Sequence, residues 1–195
     1  MTQFYLVRHG QTDWNVARRY QGHTDIPLNQ VGTQQAQNLA EKLAADTFDA
    51  IFSSDLSRAV QTAEILGNRL HVMVCIDPRL REINHGIWEG MSLDEVKKKY
   101  ADDFVRGAQD PTSIRAQGGE SILEVAKRMA QSAREIQQAY PNGKVLIISH
   151  GLAVSTLYCQ VKGISLNEVY QHIPDNTSPV IVTWDSKNPI ETQEN

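Results

Sequence analysis

Cysteine is scarce: Cys75 and Cys159 are the only two, and they stand far apart. The start, Met1-Thr2-Gln3-Phe4-Tyr5, shows no basic and then apolar leader. The pair therefore reads as reduced core thiols in a cytoplasmic protein rather than a disulfide framework. Long apolar runs are missing too. Runs such as Val145 to Ile148 stop far short of the roughly 20 residues a membrane helix needs, so no membrane partner is expected. Positive charge is not in surplus: 19 Lys and Arg against 23 Asp and Glu give a net charge of -4. A nucleic-acid partner favours a basic face and is not expected; any phosphate pocket must be basic locally. There is no His-Glu-x-x-His or paired-cysteine motif, and His23, His71 and His172 have no partner at metal-ligand spacing. These three read as surface or turn residues, and neither a metal nor another cofactor is expected. No fixed-period repeat or low-complexity segment appears, which removes solenoids and linkers.

What is present suits one domain over residues 1–195, since 41 % of the residues are hydrophobic. Phe4 to Val7 reads as a buried strand that runs directly into Arg8-His9-Gly10. Val31, Ala36, Leu39, Ala40 and Leu43 form a helical stripe between Asn29 and about Ala45, and Asp49 to Ser53 returns to strand. A second helix from Ser57 to Arg69 buries Ala59, Thr62, Ala63 and Leu66 and carries Arg58 in its first turn. Ser92 with Glu95, and Ser121 with Glu124, fit the capping box, and Pro141-Asn142-Gly143 stops the second of these helices. Lys144 to Ile148 is a strand ending in Ser149-His150-Gly151, followed by a helix from Leu152 to Lys162 that Gly163 closes. Pro179 to Trp184 is a last strand near an edge, and the tail from Ser186 is expected to fray. The alternation predicts an α/β fold, a three-layer α/β/α sandwich with a mostly parallel sheet. The charged stretch from Asn84 to about Gln117 breaks it and reads as a small helical cap insertion.

Ligands collect at the carboxyl ends of strands in such sheets, and Arg8, His9, Arg58 and His150 fall at three of them. Two guanidinium forks suit the oxygens of a phosphoryl group, and two arginines with one protonated His would neutralise a phosphate dianion without a metal. A His attacks phosphorus when one ring nitrogen is unprotonated and the other donates to a fixed acceptor, with Gly10 leaving room for close approach. Glu82 is the candidate acid, because bound phosphate disfavours its charged form; as carboxylate it would later activate water. An ion pair with Arg81 or Arg79 is its alternative role.

Other features have plainer readings. The Cys75 to Arg81 spacing matches that of cysteine phosphatases, but the segment lacks Gly, places Pro78 at a donor position and holds Asp77 inside, so Cys75 reads as a structural thiol. Lys97-Lys98-Lys99, beside Asp94, Glu95, Asp102 and Asp103, reads as a solvated helix face. Trp14, Trp88 and Trp184 are scattered and suit core or pocket wall.

Leu6-Val7-Arg8-His9-Gly10-Gln11-Thr12-Asp13-Trp14-Asn15 resembles the signature of the histidine phosphatase superfamily, with its phosphoglycerate-mutase-like fold. Gln21-Gly22, Asp25 to Asn29, Ser53 to Ala59 with Gln61-Thr62-Ala63, the Glu82 loop, Gly118 to Ser121 and Ser149-His150-Gly151 match further blocks in the family's order. The resemblance implies that His9 accepts the phosphoryl group, that Arg8, Arg58 and His150 bind it, and that Glu82 gives and later takes the proton. It also implies that Asn15, Gln21, Gly22 and Gly151 line the phosphate pocket. Mutases of the superfamily have a longer insert after the acid and a Tyr-Gly where this chain has His85-Gly86, so Glu82 to Gly90 is similar to the phosphatase branch. The stretch from His85 to Ser121 is similar to metal-independent phosphoserine phosphatases, which implies that His85 meets the non-phosphate end of the substrate; simple packing in the cap is its alternative. The resulting expectation is a phosphomonoesterase acting on a small phosphorylated metabolite, phosphoserine first among specific candidates. A phosphoglycerate mutase and a catalytically silent phosphate-binding regulator are the alternatives. Apolar faces on the later helices and last strand allow a homodimer.

Overall fold

The computed structural model describes residues 1–184; the tail expected to fray from Ser186 lies outside them. Strand β1 (Thr2–Arg8) leads through a short helix α1 (Asp13–Val16) to α2 (Gln30–Lys42), β2 (Ala50–Ser53), α3 (Ser57–Leu70) and β3 (Val74–Ile76). Helices α4 (Leu93–Lys99) and α5 (Ala101–Gln109) precede the long α6 (Ile122–Ala139), then β4 (Lys144–Ser149), α7 (Gly151–Lys162) and β5 (Val180–Trp184). The five strands form one sheet in the order β3-β2-β4-β1-β5, parallel except for β5, which pairs antiparallel with β1 at the edge.

The pleat sorts the strand residues between two cores. Phe4, Leu6, Val145 and Ile147 face α6 and α7, while Tyr5, Val7, Ile51, Leu146 and Ile148 face α2 and α3. Both faces of the central strands are covered, which is why β1 and β4 read as unbroken apolar runs rather than as alternations. Among the described residues no helix is long and apolar enough to cross a membrane.

Local chemistry sets the helix ends. Ser92 and Ser121 form complete capping boxes with Glu95 and Glu124, and Gly163, at φ +66°, closes α7 in the left-handed region. Three expectations fail. Val31 is exposed because it lies on the outer side of the first turn of α2, where Gly32 faces inward instead. Strand β3 was not expected, although it lies in the apolar run Val72 to Ile76; it is three residues long and largely open at the sheet edge. Cys75 lies on that edge strand and is exposed, so only Cys159 is a core thiol. Residues 86 to 113 hold two short helices and two 3-10 turns. They gather a separate apolar cluster from Trp88, Val96 and Ala116, packed with Tyr20, Met91, Tyr100 and Ile114.

Candidate active site

Arg8 lies opposite Ser149 across the β1–β4 ladder, so His9-Gly10 and His150-Gly151 leave the sheet side by side. On the other flank of β4, β2 runs through Ser54 into α3 and brings Arg58 to the same edge. Arg8, His9, Asn15, Gln21, Gly22, Arg58, Glu82, His85 and Gly151 line one pocket of about 240 Å³ there. Arg19, Tyr20, Leu152, Tyr170 and Ile173 share that lining without having been singled out from sequence.

His9 is 3 % exposed, and its Nδ1 donates to the Gly10 carbonyl at 2.7 Å. Because a carbonyl only accepts, the proton belongs on Nδ1 and Nε2 keeps its lone pair. Burial first, and the Arg58 cation second, hold this imidazole well below its usual value, so it is neutral at pH 7. Asn176 Nδ2 donates to the His9 carbonyl at 2.7 Å, and Thr177 N to the Arg8 carbonyl at 2.9 Å, so the segment before β5 fixes the backbone of both residues. Gly10 does not leave room for a ligand. A Cβ there would lie 2.4 Å from the Gly32 carbonyl oxygen, so glycine is needed for the approach of α2 to the loop after β1.

Arg58 is fully buried and donates from Nη1 to the Thr24 carbonyl at 2.9 Å, from Nη2 to that of Gly22 at 2.7 Å and from Nε to His150 Nδ1 at 3.2 Å. Burial lowers the guanidinium to about 10, against the pull of Glu82, Asp25 and Glu89, so it stays cationic at neutral pH. Asp25 accepts from the backbone N–H of Ser57 at 2.7 Å and supplies the cap that the N-cap residue Leu56 lacks. His150 corrects an expectation. It is fully buried with its ring edge-on to His9 at 5.1 Å, accepts at Nδ1 from Arg58 and donates from Nε2 to Ser54 Oγ at 2.9 Å. Burial and the Arg58 cation push it well below its usual value, so it is neutral rather than a third positive charge. Arg8 donates from Nη1 to the Pro174 carbonyl at 3.1 Å, while its buried Nε has no hydrogen-bond partner. Burial lowers this guanidinium as well, with Glu82 and Asp175 opposing. At Gly151 a Cβ would meet Ile173 Cγ2 tightly at 3.0 Å, while Arg8 Cζ at 3.5 Å would be in ordinary contact.

Glu82 reaches the first turn of α7: Oε1 accepts from Ala153 N at 3.1 Å and Oε2 from Leu152 N at 3.2 Å. It pairs with neither neighbouring arginine, since Arg81 binds Asp55 at 2.6 Å and Arg79 binds Asp77 at 2.8 Å and Glu135 at 2.7 Å. Its loop is held by a residue that the sequence reading passed over. Arg128, on α6, donates to the carbonyls of Arg79, Arg81 and Glu82 and to both oxygens of Glu120. His23 was read as a surface or turn residue, yet its Nε2 meets the Glu82 carbonyl at 2.9 Å. Glu89 ties the opposite wall together, accepting from the backbone N–H groups of His23, Thr24 and His85. Gly22, at φ +53°, fits there only without a side chain, as a Cβ would meet Glu89 Oε1 at 2.0 Å. Thr12 caps α1 in a box with Asn15, and its hydroxyl donates to Gln21 Oε1 at 3.0 Å, which fixes both pocket residues.

A second cavity of about 280 Å³ adjoins the first beneath residues 86 to 114. Tyr20, His85 and Tyr170 line both. His85 both packs and faces a cavity: its ring stands edge-on to Tyr20 at 4.6 Å, at the junction of the two spaces. Burial lowers its imidazole. Among the described residues no group of three or more His, Cys, Asp or Glu side chains is placed to hold a metal ion.

Residues 4–195 match the family model described as the histidine phosphatase superfamily (branch 1). Phosphoserine phosphatase 1 of Hydrogenobacter thermophilus is 33 % identical over 190 residues, covering 97 % of this chain and 90 % of that protein. A probable phosphoglycerate mutase, GpmB of Proteus mirabilis, is 39 % identical over 167 residues, or 84 % of this chain and 76 % of its own. Among solved structures, YhfR of Bacillus stearothermophilus superimposes with a TM-score of 0.87 at 35 % identity over 95 % of this chain and 93 % of its own.

Proposed function

On the premise that the chain belongs to the histidine phosphatase superfamily, we propose that it hydrolyses phosphomonoesters of small metabolites through a phosphohistidine on His9. The observation that carries this reading is the Nδ1–H bond from His9 to the Gly10 carbonyl at 2.7 Å, which leaves Nε2 as a neutral, buried nucleophile facing the pocket. Nε2 attacks phosphorus, the P–N bond forms, and the ester P–O bond breaks with its electrons going to the leaving oxygen. Glu82, which lines the same pocket, gives that oxygen a proton. Water then attacks phosphorus, Glu82 takes the proton back and the P–N bond breaks, returning free His9 and inorganic phosphate. Arg8 and Arg58 neutralise the dianion; Arg58 has one N–H left on each terminal nitrogen and Arg8 has its unpartnered Nε, all in the water-poor setting that strengthens such bonds. The likeness of Glu82 to Gly90 to the phosphatase branch supports transfer to water rather than back to substrate. Residues 86 to 113 act as the cap.

O-phosphoserine is the specific substrate that the likeness over His85 to Ser121 puts forward, and a relative named phosphoserine phosphatase supports testing it. The experiment is phosphate release from O-phosphoserine, p-nitrophenyl phosphate and 3-phosphoglycerate with a chelator present, together with quenched trapping of an acid-labile phosphoryl label. Turnover with label on His9, both lost in His9→Ala, is expected. Metal-free turnover near wild type in His9→Ala would refute the mechanism, and silence on every ester would favour the regulator.

A further inference from the structure

The cavity beside the phosphate pocket has a chemistry of its own. Its walls are Trp88, Leu93, Phe104, Ile114, Ala116 and Ile122, and no Lys or Arg lines it. Its one charged side chain, Glu120, is already engaged at both oxygens by Arg128. The Trp88 indole N–H is buried without a partner and is a donor open to an acceptor on a bound molecule. Among the described residues the only cation in the phosphate pocket besides Arg8 and Arg58 is Arg19, which is turned to the Gly90 carbonyl at 2.5 Å and to Glu95 at 3.4 Å. An amino-acid phosphate brings a carboxylate and an ammonium, and neither finds a free opposite charge in this chamber; burying them unpaired is costly. An uncharged carbon skeleton gains from the same walls. Tyr20, His85 and Tyr170 line both the chamber and the phosphate pocket, so the chamber is the neighbouring space open to the carbon skeleton of an alcohol esterified to a phosphoryl group at His9.

We infer that this chamber is the leaving-group subsite and that it selects phosphate esters of uncharged, predominantly apolar alcohols over O-phosphoserine. The inference rests on the proposed hydrolysis at His9 and replaces O-phosphoserine as its preferred ester. Ethyl, butyl and hexyl phosphates test it cleanly, because their primary alkoxide leaving groups are alike and a trend in kcat/KM reads binding in the chamber. The expected result is a rise of about tenfold or more from ethyl to hexyl, with O-phosphoserine below hexyl phosphate. Leu93 is partly exposed at the start of α4, so a charge is tolerated there. In Leu93→Arg the hexyl-to-ethyl ratio should collapse and O-phosphoserine should gain. A flat alkyl series, or a preference for O-phosphoserine that Arg19→Ala removes, would overturn the inference and leave the hydrolase standing. If no ester turns over, the hydrolase reading fails. Calorimetric binding of hexyl against ethyl phosphate to His9→Ala still decides the chamber in that case: equal affinities would overturn it, and tighter hexyl binding would support it.

Discussion

The Nε–H of Arg58 donates to Nδ1 of His150 at 3.2 Å, and His150 passes the chain on to Ser54 Oγ at 2.9 Å. With the carbonyls of Gly22 and Thr24 it holds the guanidinium at three points. His150 acts through Arg58 as a positioning residue. In His150→Ala, kcat/KM should fall about 10- to 100-fold, the worth of one hydrogen bond to a charged group, and inhibition by inorganic phosphate should weaken in parallel. The pH dependence of kcat should not move. A displaced limb in that profile would show that His150 exchanges the proton itself.

Burial holds His9 and His150 well below the ordinary histidine value in the folded chain. Unfolded, both titrate near about 6.5. Below that pH the unfolded chain binds protons that the folded chain refuses, so stability is complete above it and declines as pH falls, until the depressed folded values are reached. Each histidine contributes a slope of about 1.4 kcal/mol per pH unit in that window. Urea unfolding in phosphate-free buffer at pH 7, 6 and 5 measures it, above the range where carboxylates such as Asp77 and Glu120 protonate. An unchanged midpoint from pH 7 to 5 would contradict the neutral, buried assignment.

The residues at the strand ends were legible because a buried apolar run announces its own carboxyl terminus, and Arg8, His9 and His150 follow at once. Arg58 was legible through the first turn of a well-patterned helix. The groups that hold these residues were not. Arg128 lies on α6, far in sequence from the carbonyls it binds, and nothing in its local pattern separates it from a solvated arginine. Asn176 belongs to irregular chain with no period to read, and Tyr170 to a 3-10 helix, Leu166–His172, that the sequence reading passed over. The neutral state of His150 depends on which way its ring faces, and a sequence carries no rotamer. Strand β3 is too short for any alternation to register.

Arg128 should control the Glu82 step without touching substrate. Arg128→Ala takes its donor from the carbonyls of Arg79 and Arg81 and leaves the Glu82 carbonyl with His23 and the Glu120 carboxylate with Asn84 N, a loss of roughly 2–4 kcal/mol in stability. Because the Glu82 loop then moves, kcat should fall about 10- to 100-fold with KM changing little, and Arg128→Lys should recover part of the loss. Steady-state kinetics beside urea melts separate the two effects. A KM effect with unchanged kcat would place Arg128 in substrate binding instead.

Gly10 and Gly163 make a matched pair. A Cβ on Gly10 collides with backbone at 2.4 Å, whereas one on Gly163 meets nothing and bears only the strain of φ +66°. Gly10→Ala therefore has to push α2 away from the loop that carries His9, an overpacking penalty of about 1–3 kcal/mol. Its Tm should drop by roughly 5–10 °C, and kcat/KM should fall with it, since the Gly10 carbonyl orients the nucleophile. Gly163→Ala, at the far end of α7, should lose about 1 kcal/mol and keep its activity. Thermal melts and turnover on the same samples make the comparison. Equal activity in the two variants would mean that the His9 loop moves freely of α2, and the packing of Gly10 against Gly32 would then have no part in holding the nucleophile.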